Sequence, residues 1–355
     1  MDILRWLHRW LGIALGVFIA IVGLTGSWLI YDRELAAPVY VLDAASDVLP
    51  LQQLYEQALK YLPAETDVAV RFPQKPGLPY QVWAGEDQVV IDQYSGNVLA
   101  VRNAEFWPYG WMFHLHKELL LGKSGETLSG WQGILLFLIV LAGVVLWWPR
   151  KWKAAFQLRF RQSGLIFWRD LHKQVGIVAT PFLLLAIVTG VSLNFSEWVS
   201  QTASMVFGSG ETATLAIKPQ LSMEKSRSLD EIVSQANAAL AGGRIGIISI
   251  PASPAKPIVV RKQMPGDPHP NGLNFVYLDR NTAEVLQVIS LQEAEPARRW
   301  FNWAYPLHTG QALQPWHHWA LLVVGLLPAL FFVTGIYMYV LRKRNLRRAG
   351  RQTGR

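Results

Sequence analysis

Apolar positions gather into four long runs, about Leu11 to Tyr31, Trp131 to Trp148, Val175 to Phe195 and Trp319 to Leu341, with no charge in the central turns of any of them. Each is near the roughly 20 residues a helix needs to cross a bilayer, so the pattern predicts four membrane-spanning helices. Between the runs the period changes. Leu51 to Tyr61 has helical spacing, while Tyr80 to Trp83 and Gln88 to Asp92 alternate as strands do. In the later long loop, Leu229 to Ala241 reads as a helix, and Arg244 to Ile250, Ile258 to Lys262 and Asn274 to Leu278 read as strands. Both loops close on an Asp-turn-Val-Leu segment, Asp92 to Leu99 and Asp279 to Leu286.

The sequence also matches itself. Arg5, Leu7, His8, Gly12, Ile13, Phe18, Thr25 and Gly26 recur as Arg169, Leu171, His172, Gly176, Ile177, Phe182, Thr189 and Gly190, every pair 164 positions apart. A second register of 192 pairs Trp111, Leu115, His116 and Gly143 with Trp303, Leu307, His308 and Gly335. Each half therefore has two spans around one loop, and both halves enter the membrane in the same sense, as a parallel repeat about an axis along the membrane normal.

Composition fits a chain whose solvent is largely lipid: 51% of residues are hydrophobic and 16% charged, against about 25% charged in soluble domains. The 33 basic residues outnumber the 25 acidic ones, and their placement argues against a nucleic-acid partner. Arg150, Lys151, Lys153, Arg159, Arg161, Arg169 and Lys173 cluster after the second run, and the tail beyond Leu341 is basic without an acid. Both segments are expected in the cytoplasm, with the net-acidic long loops outside. The first run resembles a signal peptide, with a basic start and small residues at Ala36–Ala37, but its repeat partner deep in the chain argues for retention. With no cysteine, disulfides, thiolate-held iron–sulfur clusters and covalent haem attachment are excluded.

Symmetry-related helices can offer a planar iron porphyrin one imidazole from each side. His8 with His172 makes an inner site in this reading, and His116 with His308 an outer one. Two b-type haems with bis-histidine ligation leave no open position for oxygen, which suits electron transfer across the bilayer. Seventeen residues separate His8 from Thr25, roughly 25 Å of helical rise, so the two levels lie near opposite faces. His114, two residues before His116, is the alternative outer ligand. Gly12 and Gly176 give either room for a flat macrocycle or ordinary close helix packing. Arg5, Arg9, Arg169 and Lys173 surround the inner pair, as Arg298 and Arg299 do outside, and can bind propionates; the inner basics are equally what sidedness alone demands. Trp107, Trp111, Trp300, Trp303 and Tyr305 flank the outer pair as interfacial anchors, pocket walls or an electron path. His317 and His318 read as part of an interfacial belt, and His269, between prolines, as solvated.

These residues resemble a known family. His8-Arg-Trp-Leu-Gly-Ile-Ala-Leu-Gly running to Gly23-Leu-Thr-Gly26, Leu115-His116 with Leu119-Leu-Leu-Gly122, His172-Lys-Gln-Val-Gly176 with Val188-Thr-Gly190, and Pro306-Leu-His308-Thr-Gly310 look like PepSY-associated transmembrane proteins, bacterial inner-membrane proteins of tandem TM–PepSY–TM design. The resemblance covers nearly the whole chain. It implies a membrane α-helical fold of four transmembrane helices carrying two small α+β periplasmic PepSY-like domains. The divisions are 1–35 (first span), 36–105 (first PepSY-like domain), 106–150 (interfacial helix and second span), 151–173 (cytoplasmic loop), 174–198 (third span), 199–297 (second PepSY-like domain), 298–341 (interfacial segment and fourth span) and 342–355 (cytoplasmic tail).

Members are associated with iron uptake, and some look like di-haem oxidoreductases that reduce ferric siderophores to release iron in the periplasm. The donor is then a cytoplasmic reductase or quinol from the bilayer. Two other functions compete. PepSY domains are linked with binding and inhibiting peptidases, which suits a membrane-anchored binding or regulatory protein without redox chemistry. The same haems also suit an electron-transfer subunit serving quinol, copper or another metal. A permease is disfavoured, because no span carries a charge at its midplane, and no nucleotide-binding loop is present.

Overall fold

The structure is a computed structural model that describes residues 1–31, 47–103, 108–149, 163–207, 226–294, 296–313 and 316–353, with positions 40, 42, 152 and 156–160 between them. Ala36–Ala37, Trp107, Arg150, Lys151, Lys153 and Arg161 lie outside the described residues. The chain divides into two units, one of residues 1–35, 112–195 and 307–355, the other of residues 36–111 and 196–306.

The first unit contains four helices long and apolar enough to cross a membrane: α1 (Asp2–Tyr31), α4 (Gly122–Trp147), α5 (Gly164–Asn194) and α9 (Trp316–Thr353). Each extends beyond its apolar run, because the flanking polar residues continue the helix. Only 17 to 28% of the most apolar window of each is buried within the protein. The remaining apolar surface, Phe18, Leu138, Val178 and Val333 among it, then needs lipid to cover it. The helices pair across the repeat: α1 packs along α9 and α4 along α5, so each half's first span lies against the other half's last. Apolar side chains gain little from one another in lipid, and small residues let the backbones close up instead. A Cβ on Gly23 would meet the Gly325 carbonyl oxygen at 2.4 Å, and one on Gly133 would meet Val191 at 2.6 Å. Ser27 Oγ donates across the α1–α9 contact to the Leu322 carbonyl at 2.7 Å.

In the second unit, α2 (Leu51–Leu59) precedes β1 (Val68–Arg71), β2 (Tyr80–Ala84), β3 (Asp87–Ile91) and β4 (Val98–Asn103). After α6 (Ser196–Phe207), α7 (Leu229–Ala239) precedes β5 (Arg244–Ile250), β6 (Ile258–Gln263), β7 (Asn274–Leu278) and β8 (Val285–Ile289). The two sets were expected as separate domains. They form one antiparallel sheet of eight strands, in the order β4-β3-β2-β1-β5-β6-β7-β8. The join is β1 with β5, register Val70 opposite Ile248. It removes the bare edge each four-strand sheet would otherwise present.

One face of the sheet carries a core of Leu54, Val70, Val82 and Ile91 from the first half with Ile232, Ile248, Val260 and Val276 from the second. The helices on that face cap each other. Asp230 of α7 accepts from the backbone N–H groups of Leu51 and Gln52 at 2.8 and 3.1 Å, and Gln52 of α2 accepts from Leu229 N–H at 2.9 Å. Helix α2 lacks a side-chain cap of its own, and this exchange supplies the acceptor its free N–H groups need. The Asp-turn-Val-Leu segments are hairpin turns: Asp92 and Asp279 accept from following N–H groups, Gly96 and Ala283 take positive φ, and the Val-Leu pairs begin β4 and β8.

Ala69 and Ser249 are opposed across the join. Opposed residues of antiparallel strands have Cα atoms roughly 4.5–5.5 Å apart, within reach of a disulfide. The A69C/S249C variant is therefore expected to lose both reactive thiols on mild oxidation while remaining monomeric, in a chain with no competing cysteine. Two independent domains would leave both thiols titratable.

Candidate functional site

Each imidazole level is built from two helices of opposite halves. His8 on α1 and His172 on α5 have ring centroids 6.4 Å apart, with planes at 87°. His116, on α3 (Pro108–Glu118), and His308, at the end of α8 (Pro296–His308), have centroids 6.0 Å apart, with planes at 46°. A metal held at roughly 2 Å from one nitrogen of each of two opposed rings puts their centroids about 6 Å apart. Both separations fit that arrangement.

Hydrogen bonding decides which nitrogen faces the partner. His8 Nδ1 lies 3.0 Å from the Ile139 carbonyl, His116 Nδ1 2.8 Å from that of Val22, and His308 Nδ1 3.1 Å from that of Ala186. A carbonyl only accepts, so these Nδ1 atoms carry the proton. His172 Nδ1 lies 3.0 Å from Thr334 Oγ1. That hydroxyl spends its own proton on the Leu330 carbonyl at 2.8 Å, so it too accepts. All four rings thus keep the Nε2 lone pair as a ligand, the form in which metal-bound histidines are held by their surroundings.

The repeated Thr-Gly pairs set the second level. Thr25 donates to the Ile21 carbonyl and stands 3.3 Å from His116 Nδ1; Thr189 donates to that of Leu185 and stands 3.1 Å from His308 Nδ1. A Cβ on Gly26 would meet His116 Cε1 at 2.8 Å, and one on Gly190 would meet His308 Cε1 at 2.9 Å. Threonine orients the ring, and glycine admits it against the span. Helix α3 is turned into α4 through Leu119 and Leu120, both non-glycine residues at positive φ (52° and 59°). Such backbone persists only where the surroundings over-determine it, and it costs of order 1–3 kcal/mol per residue.

The structure separates the remaining candidates. His116, not His114, faces His308; His114 Nδ1 lies 2.6 Å from Glu118 Oε1 on its own helix. Beside the first pair, Arg5 bonds Asp2 at 2.9 Å and Arg169 lies 3.7 Å from Asp170. Arg9 buries its Nε without a hydrogen-bond partner among the described residues, a donor of the kind a propionate would satisfy. Gly12 and Gly176 are half-buried, yet a Cβ on either meets no atom within 4 Å, so the backbone there has room beside it. These observations fit a porphyrin held between opposed imidazoles.

A family model described as the PepSY-associated TM region matches residues 5–342. The chain belongs to the PepSY-associated TM family. It is also similar to an uncharacterized protein of Pseudomonas aeruginosa, 40% identical over 80 residues, a match that spans 22% of this chain and 20% of that relative. The family match takes in both repeats and all four facing histidines.

Three histidines of this family member sit elsewhere than their sequence context suggested. His269 is buried at 7% exposure, stacked on Tyr305 with ring centroids 4.8 Å apart. The loop folds it back onto Arg261, whose Nη2 lies 3.2 Å from Nε2, and burial lowers the Arg261 pKa to about 10. His317 and His318, expected in an interfacial belt, are buried at the start of α9. Gly310 at φ 76° brings the preceding turn against them, and a Cβ there would meet His318 Cα at 3.0 Å.

Replacing Gly26 with alanine is expected to lower the thermal midpoint of the detergent-solubilised protein, by overpacking worth about 1–3 kcal/mol. In haem-free protein, Gly12→Ala, on the same helix with open space beside it, is expected to leave the midpoint level or slightly raised, since alanine is the better helix former.

Proposed function

We propose that this chain is an electron-transfer protein of the bacterial inner membrane that holds two b-type haems and reduces ferric siderophores in the periplasm. The observation that carries the reading is the two facing imidazole pairs, each ring with Nδ1–H engaged and with no hydrogen bond to Nε2 among the described residues. His8 with His172 would hold one haem and His116 with His308 the other. When bound, the two groups supply one-electron chemistry at the two faces of the bilayer. With two imidazoles available to each haem, the site would favour one-electron transfer over oxygen chemistry. Arg9, and Arg5 and Arg169 in exchange for their carboxylate partners, are suited to the propionates.

The substrate side follows from coordination chemistry. Oxygen-donor siderophores hold Fe(III) far more tightly than the softer Fe(II), so one electron accepted by the iron loosens the complex. The long loops lie in the periplasm in this reading, and both chain ends in the cytoplasm. The electron comes from a cytoplasmic reductase docking near the basic residues, or from quinol.

Dithionite-reduced minus oxidised spectra of the purified protein are expected to show b-type bands from about two haems per chain. His172→Ala and His308→Ala are each expected to remove roughly one. Anaerobic mixing of the reduced protein with ferric siderophores should reoxidise it. Reoxidation by quinone with every chelate inert would redirect the assignment to a quinone-linked subunit. Protein made with ample haem and lacking the bands would be a membrane-anchored binding protein.

A further inference from the structure

Alternation along β7 sends Val276 and Leu278 into the sheet's core and Phe275 and Tyr277 to its opposite face. There the two rings line a cavity of about 770 Å³, with Ser200 and Ser204 from α6 and Arg298 and Phe301 from α8. That volume lies within the range of roughly 300–1,000 Å³ typical of small-molecule sites. All these residues belong to the second unit.

We infer that this cavity binds an anionic, aromatic chelate of a trivalent metal, of the catecholate rather than the hydroxamate type. The inference rests on the ferric-siderophore reading above and narrows its substrate. Three observations carry it. Arg298 buries Nη1 with no hydrogen-bond partner among the described residues, leaving a charged donor that an anionic oxygen would satisfy. Its guanidinium stands 5.6 Å from the centre of the Phe275 ring, and that of Arg261 stands 5.7 Å from the same ring. No described residue lining the cavity is acidic, so nothing offsets the positive charge. Aromatic walls favour a ligand that brings rings of its own, and Ser200 and Ser204, one helical turn apart, offer hydroxyls to its oxygens.

A tris-catecholate of a trivalent metal has three aromatic rings and a net charge of about −3, which suits both the walls and the arginine. A tris-hydroxamate is neutral at the metal and need carry no ring, so it leaves the arginine unmatched. Arg298 and Phe301 lie one turn apart on α8.

The test uses the full-length, haem-loaded protein and the redox-inert 1:3 complex of gallium(III) with catechol, followed by titration calorimetry. Arg298→Gln is expected to weaken binding at least tenfold, and Ser200→Trp, which fills the cavity from α6, to weaken it comparably. Ser200→Trp should leave haem content and the reduced spectrum unchanged. Gallium(III) tris(acetohydroxamate) is expected to bind at least tenfold more weakly than the catecholate. Equal binding of the catecholate by wild type and both variants overturns the site, and equal binding of the two chelates overturns the preference. Either result leaves electron transfer standing if the haem-loaded protein still reduces ferric chelates. Catecholate binding lost on Arg298→Gln in a protein that takes up no haem would support the cavity while sinking the redox reading.

Discussion

A buried imidazole has two nitrogens, and in each of the four facing histidines one of them is answered by a neighbouring helix. His8, His116 and His308 give their Nδ1 protons to main-chain carbonyls, and His172 gives its proton to a threonine hydroxyl. Those acceptors sit on other helices, so ring orientation is set by how the spans pack. Gly143, Gly26 and Gly190, where a Cβ would meet the rings of His8, His116 and His308, let those rings lie against the helices that orient them. Each level needs one histidine from each half, and neither half could build one alone.

The same duplication shapes the second unit by different physics. In the apolar helices, close approach comes from small residues and a few buried hydrogen bonds. In the sheet, it comes from β1 and β5 completing each other's edge, with α2 and α7 exchanging caps above the join. Burying one face leaves Phe275 and Tyr277 on the other, where they line the cavity.

The spans and the repeat were legible in the sequence, because hydropathy over twenty residues is a strong signal and a constant offset of 164 is hard to produce by chance. The inner histidine pair followed from that offset, and the outer pair from the second one of 192. Thr25-Gly26 and Thr189-Gly190 were visible as repeated residues, but their task depends on rings arriving from α3 and α8, which no local pattern announces. Helix α6 was missed because it follows α5 after one residue, Phe195. Strand β1, four residues long, gives too short an alternation to detect, and β4 and β8 were read as the close of their domains. The single sheet was hidden because β1 and β5 are roughly 180 residues apart. His269 was misjudged because its prolines suggest an exposed loop, whereas stacking on Tyr305 is a tertiary event.

The seam between β1 and β5 also constrains how the chain is made. When β1 leaves the ribosome, its partner lies roughly 180 residues ahead, beyond two more spans. At about 5–20 residues per second, synthesis of that stretch takes on the order of ten to forty seconds. For that interval the first four strands wait with one edge unsealed, and α2 waits without the acceptor that Asp230 will bring. Biogenesis of this protein thus includes a pause in which an unfinished sheet must be kept from the wrong neighbour, a demand on whatever chaperones attend the nascent chain.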